Sequence, residues 1–107
     1  MSNRFMRIIV FFDLPVTTKT QRKTATDFRK FLIRDGYYMV QFSVYARVCN
    51  GYDAIDKHIK RLKGVVPKNG SIRVLVITEK QYESMHVLTG KLMEEEKPVS
   101  VQQLTIF

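Results

Sequence analysis

Asp13 is the side chain whose type and position first suggest chemistry. It ends the apolar run from Met6 and stands directly before Leu14 and Pro15. A carboxylate in that place either caps the local turn by accepting hydrogen bonds from backbone N–H groups or binds a hard cation such as Mg²⁺. Alone it is a weak metal ligand, but a two-fold axis near the strand end would bring two copies together and favour a bound cation.

A row of basic residues on the next predicted helix could bind phosphate groups. At 100° per residue, four cations fall within about one quadrant of the helix and two more flank them. The row consists of Lys19, Lys23, Lys30 and Arg34, with Arg22 and Arg29 beside it. We expect no acidic side chain to interrupt it. Such a row suits a phosphate backbone of any sequence, although an ordinary solvated helix face is the alternative.

The overall charge of the chain favours the phosphate-binding interpretation. The 107 residues include 18 Lys and Arg against 10 Asp and Glu, which gives a formal net charge of +8. A positive surface of this kind attracts anionic partners, and nucleic acid is the first expectation. The second predicted helix contributes Lys57, Lys60 and Arg61.

The remaining reactive side chains give little support to other kinds of site. Cys49 is the only cysteine, which excludes an intrachain disulfide and a metal cage built from cysteines. His58 and His86 are isolated, so we expect satisfied or exposed histidines and assign them no role. No apolar run approaches the length of about 20 residues that spans a bilayer, and no signal-peptide pattern is present. We therefore expect a cytoplasmic protein without membrane contact.

The elements that position Asp13 begin with a strand and a helix. The run from Met6 to Asp13 is rich in β-branched and aromatic residues and predicts a buried strand ended by Pro15. Thr18 and Gln21 have the spacing of a capping box, which predicts a helix. We expect that helix to reach about Asp35, with its apolar side facing the core.

The rest of the chain continues the alternation. Two strands joined by a tight turn at Gln41 to Ser43 are predicted, followed by a helix capped by Asp53. The later predicted elements are a strand at Ser71 to Thr78, a short helix near Glu79 to Met85 and, after a polar connector, a last strand at Val101 to Phe107. The order βαββαβ is that of a ferredoxin-like α+β fold with an antiparallel sheet.

The strand pattern also predicts a homodimer. Both alternating faces of the first and last main strands are largely aliphatic, yet two helices can cover only one face of the sheet. A second copy that covers the bare face is the economical solution. The alternative is that the third helix and the terminal strand fold back over it. We place the ferredoxin-like domain at residues 1–88 and the connector and terminal strand at 89–107.

Three motifs at fixed spacing resemble the CRISPR-associated Cas2 family, in particular its members from type II systems. They are MRIIVFFDLP, then GYYMVQFSVY with its G-x-x-x-x-Q-F-S-V-Y pattern, and then SIRVLVITEKQY. The similarity runs from about Met6 to Leu88. It implies a homodimer whose C-terminal strand adds to the partner's sheet, and a complex with the Cas1 integrase that spans protospacer duplex DNA.

The same resemblance implies roles for individual residues. Asp13 matches the metal-binding acid to which a Mg²⁺-dependent endonuclease activity on RNA or DNA is attributed. Phe12 stands where many members carry Tyr, so a role of that hydroxyl is not expected here. Ser43 and Tyr45 match the motif beside the site, and Arg22 and Arg29 match basic helix positions.

Three functions are compatible with these features. The first is a non-catalytic subunit that bridges the integrase and positions duplex DNA. The second is a metal-dependent phosphodiesterase that uses Asp13 from two chains. The third is a toxin-like ribonuclease similar to the VapD group. One acid per chain makes a sparse active site, so we favour the bridging role, with nuclease activity as a secondary property.

Overall fold

The strand that carries Asp13 lies in the middle of the sheet. The computed structural model describes residues 5–98. Its strands are β1 (Phe5–Asp13), β2 (Tyr38–Gln41), β3 (Val44–Asn50) and β4 (Ser71–Thr78), and its helices are α1 (Lys19–Arg34), α2 (Tyr52–Lys63) and α3 (Glu79–Glu83), followed by a short 3-10 helix (Glu94–Glu96). The order βαββαβ is as predicted.

The sheet is antiparallel, with the strand order β2-β3-β1-β4. Strand β1 pairs with both β3 and β4, so that Ile9 lies opposite Ala46 on one side and Leu75 on the other. At the end of β1, Asp13 lies opposite Ser71. This arrangement confirms the predicted α+β, ferredoxin-like fold.

Local sequence signals explain where the helices begin. The capping box before α1 is present: the N–H of Gln21 donates to Thr18 Oγ1 at 3.1 Å, and the N–H of Thr18 donates to Gln21 Oε1 at 3.0 Å. The same arrangement starts α3. Each box satisfies backbone donors that a helix start leaves unpaired.

Two predicted helix bounds were wrong. Helix α2 is capped by Gly51 and not by Asp53, which lies in its first turn. The backbone at Gly51 has φ of +89°, a conformation that glycine adopts without steric cost, so the chain turns into the helix directly after β3. Helix α3 ends at Glu83, with Ser84 as its C-cap, and does not reach Met85.

The main core lies between the sheet and the helices α1 and α2. The β1 side chains of one parity point into it, and they meet apolar residues of both helices. Its buried members include Ile8, Val10, Phe12, Phe28, Leu32, Tyr45, Ile55 and Leu62. Phe12 and Phe28 contact edge to face, with ring centroids 5.2 Å apart.

The opposite face of the sheet is only partly covered. Ile9, Ala46 and Tyr82 are buried there, because α3 packs against this side. Phe11 and Leu75 nevertheless keep 39% and 51% of their surface exposed. An apolar groove therefore runs across this face. The predicted terminal strand, Val101 to Phe107, lies outside the described residues.

The described part of the chain contains no helix long and apolar enough to cross a membrane.

Candidate functional site

The topology brings four segments to one end of the sheet, here called the Asp13 end. Strand β1 finishes there, and α1 starts after a short loop. The β2–β3 turn is adjacent, since Phe11 pairs with Val44 and the N–H of Phe12 donates to the carbonyl of Ser43 at 3.0 Å. The loop of residues 64–70 leads into β4 at the same end, opposite Asp13.

The Asp13 side chain is exposed at this end. Within residues 5–98, no hydrogen bond or ion pair engages its carboxylate, so the turn-capping alternative is not observed. Its backbone, by contrast, is closely packed: a Cβ placed on Gly70 would lie 2.6 Å from the Asp13 carbonyl oxygen. Gly70 also has φ of +99°. The loop thus fixes the main chain and leaves the carboxylate free.

The residues of the neighbouring motif serve mainly to hold this strand end. Phe12 and Tyr45 are buried, with ring centroids 5.7 Å apart, on the helix side of the sheet. Ser43 occupies the turn with φ of +65°, which is uncommon for a residue other than glycine. Phe12 and Tyr45 therefore belong to the core beneath the site, while the Ser43 carbonyl joins the turn to β1.

The basic residues of α1 differ in how free they are. Lys19, Lys30 and Arg34 are exposed and have no ion pair or hydrogen bond in the described range. The Arg22 guanidinium donates to the carbonyls of Val16 and Thr17 at 3.2 and 3.1 Å. Arg29 is half-buried, and its guanidinium lies 3.3 Å from Thr26 Oγ1.

The expectation of an acid-free row was wrong. Lys23 Nζ lies 2.9 Å from Asp27 Oδ2, one helical turn further along. That hydrogen bond lowers the pKa of Asp27, and the charges of Lys23, Lys30 and Arg34 contribute to the shift. The pair could have been found from its i, i+4 spacing. The free cations of the row are therefore those at its two ends and at Lys30.

Two buried charge clusters were not predicted. In the first, Arg7 Nε lies 2.6 Å from Glu79 Oε1, and both side chains are almost completely buried. The Arg7 guanidinium also donates to the hydroxyl of Tyr38 and to the carbonyls of Glu95 and Lys97. Burial alone would lower the pKa of Arg7, but the Glu79 hydrogen bond leads the contacts that raise it overall.

The second cluster surrounds Asp35. The Asp35 carboxylate lies 3.0 Å from His58 Nδ1 and 2.6 Å from an Arg61 nitrogen. The Arg47 guanidinium donates a hydrogen bond to the backbone carbonyl of Asp35. Burial lowers the pKa of His58, although the Asp35 hydrogen bond opposes the shift. His58 is therefore a satisfied structural histidine, as expected, and neither cluster lies at the Asp13 end.

Residues 5–98 of one chain do not form a complete metal site. The described residues contain no group of three or more His, Cys, Asp or Glu side chains that could hold an ion. Mg²⁺ requires about six oxygen ligands in near-octahedral geometry. A carboxylate oxygen is a ligand type that Mg²⁺ accepts, but the Asp13 carboxylate alone falls well short of such a set.

Fold and site together define a small, basic, ferredoxin-like protein with one free acid at the end of its central strand. The family model described as CRISPR associated protein Cas2 matches residues 6–85. The chain belongs to this family, and the match favours it over the toxin-like alternative. 

Curated relatives and a solved structure agree with this assignment. A protein of Acidovorax ebreus named CRISPR-associated endoribonuclease Cas2 is 52% identical over 102 residues, which is 95% of this chain and all of the relative. A protein of the same name from Campylobacter jejuni is 40% identical over this whole chain and 75% of its own length. The crystal structure of Streptococcus pyogenes Cas2 at pH 6.5 aligns with a TM-score of 0.58 and 26% identity, over 78% of this chain and 99% of that one.

Proposed function

We propose that the protein is a cytoplasmic CRISPR adaptation subunit: a homodimer that binds protospacer duplex DNA and bridges the Cas1 integrase. The observation that supports this proposal is where charged side chains without a hydrogen bond or ion pair lie. Within residues 5–98, exposed cations without a partner lie on α1, whereas the Asp13 end offers a single unpartnered acid. The first pattern suits binding along a phosphate backbone. The second is a sparse arrangement for catalysis.

The half-covered face of the sheet supports the homodimer. Phe11 and Leu75 are exposed on the central strand and on its neighbour β4, and they border the apolar groove together with Val44 and Met85. A second copy would remove this apolar surface from water. In this arrangement the terminal strand, Val101 to Phe107, adds to the partner's sheet and closes an exposed edge.

Cleavage of nucleic acid is the second activity in this proposal, because the curated relatives are named endoribonucleases. Two copies of Asp13, one from each subunit, would hold a Mg²⁺. When bound, the ion would lower the pKa of a coordinated water and stabilise charge that develops on the phosphate.

The chain's own contribution to that chemistry is positioning. The close contact between Gly70 and the Asp13 carbonyl holds the backbone, and the buried rings of Phe12 and Tyr45 anchor the strand from below. Because the Asp13 carboxylate has no partner among the described residues, none of their interactions has to be broken before it binds a cation. The basic residues of α1 attract the polyanionic strand.

Duplex binding tests the main role. Replacing both Lys30 and Arg34 by Gln removes two free cations and keeps both partners of the Lys23–Asp27 pair. Affinity for unrelated duplexes should fall equally, and the slope of log affinity against log salt should flatten by about one for each lost phosphate contact. The charge-matched control replaces Lys80 and Lys91, which are exposed outside α1 and α2. Two outcomes would contradict a specific role for α1: an equal loss of duplex affinity in the two double variants, or a duplex affinity that does not depend on salt concentration.

A further inference from the structure

Arg73 is a charged residue in an otherwise apolar part of the sheet. Strand β4 has the sequence SIRVLVIT, in which Arg73 is the only ionisable side chain. It is exposed, and within residues 5–98 no hydrogen bond or ion pair engages its guanidinium. A cation that joins no elements of the described fold is a candidate for binding a ligand, and its neighbours on the sheet indicate which ligand.

The register of the sheet places Arg73 beside Asp13. Arg73 lies opposite Phe11 on β1, and Asp13 is the next β1 residue on the same face of the sheet. Asp13 itself lies opposite Ser71, which is also exposed. Cβ atoms that are directly opposite are about 5 Å apart, and diagonal neighbours about 7 Å, which a long side chain can span. An acid, a hydroxyl and a cation therefore share one surface at the Asp13 end.

The two opposite charges do not neutralise each other. Asp13 and Arg73 are diagonal neighbours, yet they form no ion pair in the described chain. Both charges thus remain available to one ligand that carries both signs. A phosphate group with a bound divalent cation is such a ligand, because it offers the metal ion to the carboxylate and its oxygens to the guanidinium.

Charge balance gives the guanidinium a specific task at this place. Two Asp13 carboxylates, one from each subunit, and one Mg²⁺ would sum to zero charge. A phosphodiester carries one negative charge, and attack by hydroxide raises it to two in the transition state. A guanidinium remains charged at physiological pH, and its parallel N–H groups match two oxygens of a phosphate.

We propose that Arg73 is a further catalytic residue, whose guanidinium donates hydrogen bonds to the non-bridging oxygens of a phosphodiester at the paired Asp13 carboxylates. The inference rests on the proposed nuclease activity and adds a residue that stabilises its transition state. In that reaction the oxygen of water forms a bond to phosphorus, and the bond from phosphorus to the leaving oxygen breaks with its electron pair. One proton of the water ends on the leaving oxygen, and the other stays on the phosphate product or enters solvent. Arg73 stabilises the negative charge that grows on the non-bridging oxygens during this exchange.

An ion pair with the partner subunit is the alternative use of Arg73. The apolar groove assigned to the dimer is lined by Phe11, Leu75 and Met85, among others, and Arg73 does not line it. A partner carboxylate at the rim of the groove would nevertheless occupy the guanidinium. Sedimentation separates the two uses, because loss of an intersubunit pair weakens the dimer and loss of a phosphate contact does not.

The experiment compares the full-length wild type with Arg73→Gln and Arg73→Lys. With Mg²⁺, Arg73→Gln should cleave labelled RNA and labelled duplex DNA about 100- to 1,000-fold more slowly. Arg73→Lys should recover part of the rate, since an ammonium keeps the charge and lacks the planar fork. Without nucleic acid, Mn²⁺ binding followed by electron paramagnetic resonance should be as tight in Arg73→Gln as in the wild type, or tighter, because a nearby positive charge is removed. The control, Lys80→Gln, removes an exposed cation just beyond the opposite end of β4 and should leave all readouts unchanged.

Four outcomes would overturn the inference and leave the proposed nuclease activity intact. If Arg73→Gln cleaves as fast as the wild type, the guanidinium does not contact the reacting phosphate. If Lys80→Gln loses as much rate, the effect is one of overall charge. If Mn²⁺ affinity falls together with the rate, Arg73 organises the cation site, and if the dimer dissociates, Arg73 is an interface residue. A wild-type protein that cleaves neither substrate with Mg²⁺ would instead contradict the nuclease activity together with the inference.

Discussion

Strand β1 carries a charged residue near each end, and the two have opposite environments. Arg7 is buried, and its guanidinium contacts Glu79, the Tyr38 hydroxyl and two backbone carbonyls. Asp13, six residues further along, is exposed and has no side-chain partner in the described chain. A buried charge whose hydrogen bonds are all made contributes to the fold. An exposed charge without such partners is available to a ligand.

The two environments distinguish a charge that joins elements of the fold from a charge that remains available to a ligand. The Arg7 cluster connects β1 to α3 and to the connector that follows it, because its partners lie at Glu79, Glu95 and Lys97. It therefore sets the path by which the chain leaves the sheet. At the Asp13 end the loop at Gly70 packs closely against the main chain, yet the carboxylate has no partner in the described chain.

The largest expected effect is at Arg7. Arg7→Met removes the cation that lies 2.6 Å from the buried Glu79 carboxylate, and breaking a buried ion pair costs about 3–5 kcal/mol of unfolding free energy. Urea unfolding followed by circular dichroism measures this loss. The double variant Arg7→Met/Glu79→Gln should recover part of it, since it also removes the buried negative charge. A loss below about 1 kcal/mol is typical of an exposed pair. It would show that the buried Arg7 pair stabilises the fold no more than an exposed pair does, and would contradict the difference between the two ends of β1.

A smaller effect is expected at His58, as a change in pH dependence. The folded protein lowers the pKa of His58 below its ordinary value of 6.5, mainly through burial. On acidification below about pH 6.5 the unfolded chain therefore binds a proton that the folded chain resists, and stability falls. His58→Gln should flatten this part of the stability profile.

The matched control for this prediction is His86→Gln, because His86 is exposed. Its pH profile between about pH 5 and 7 should follow that of the wild type. In the wild type and in His86→Gln, the charged groups near His58 are the same, namely Asp35, Arg47 and Arg61. If the two histidine variants have the same profile, burial does not control the proton affinity of His58.

Much of the fold was predictable because its signals are local. The pairs Thr18–Gln21 and Thr78–Gln81 act over three residues, and each starts a helix as predicted. The alternation along β1 correctly indicated that the sheet has apolar side chains on both faces. The start of α2 was misplaced because the glycine conformation at Gly51 outweighed the capping preference of Asp53.

The candidate site was predictable only in part. Asp13 stands out in the sequence because a carboxylate ends an apolar strand, but no local pattern shows that the loop at Gly70 packs closely against its main chain. The Arg7–Glu79 pair joins residues 72 positions apart, and no local pattern predicts it. Arg7 did carry one available signal, a cation within an otherwise apolar strand, because such a residue needs a buried partner.

The most direct test of the account is the variant Asp13→Asn, measured for stability and function on one preparation. Because the Asp13 carboxylate has no partner among residues 5–98, the unfolding free energy of the variant should stay within about 0.5 kcal/mol of the wild type, the smallest of the stability effects. Mg²⁺-dependent cleavage of labelled RNA and duplex DNA should disappear, since the hard cation loses its charged ligands. Duplex binding and spacer integration with the Cas1 integrase should persist. Loss of integration by a variant that remains a folded dimer would contradict the separation between Asp13 chemistry and the bridging role.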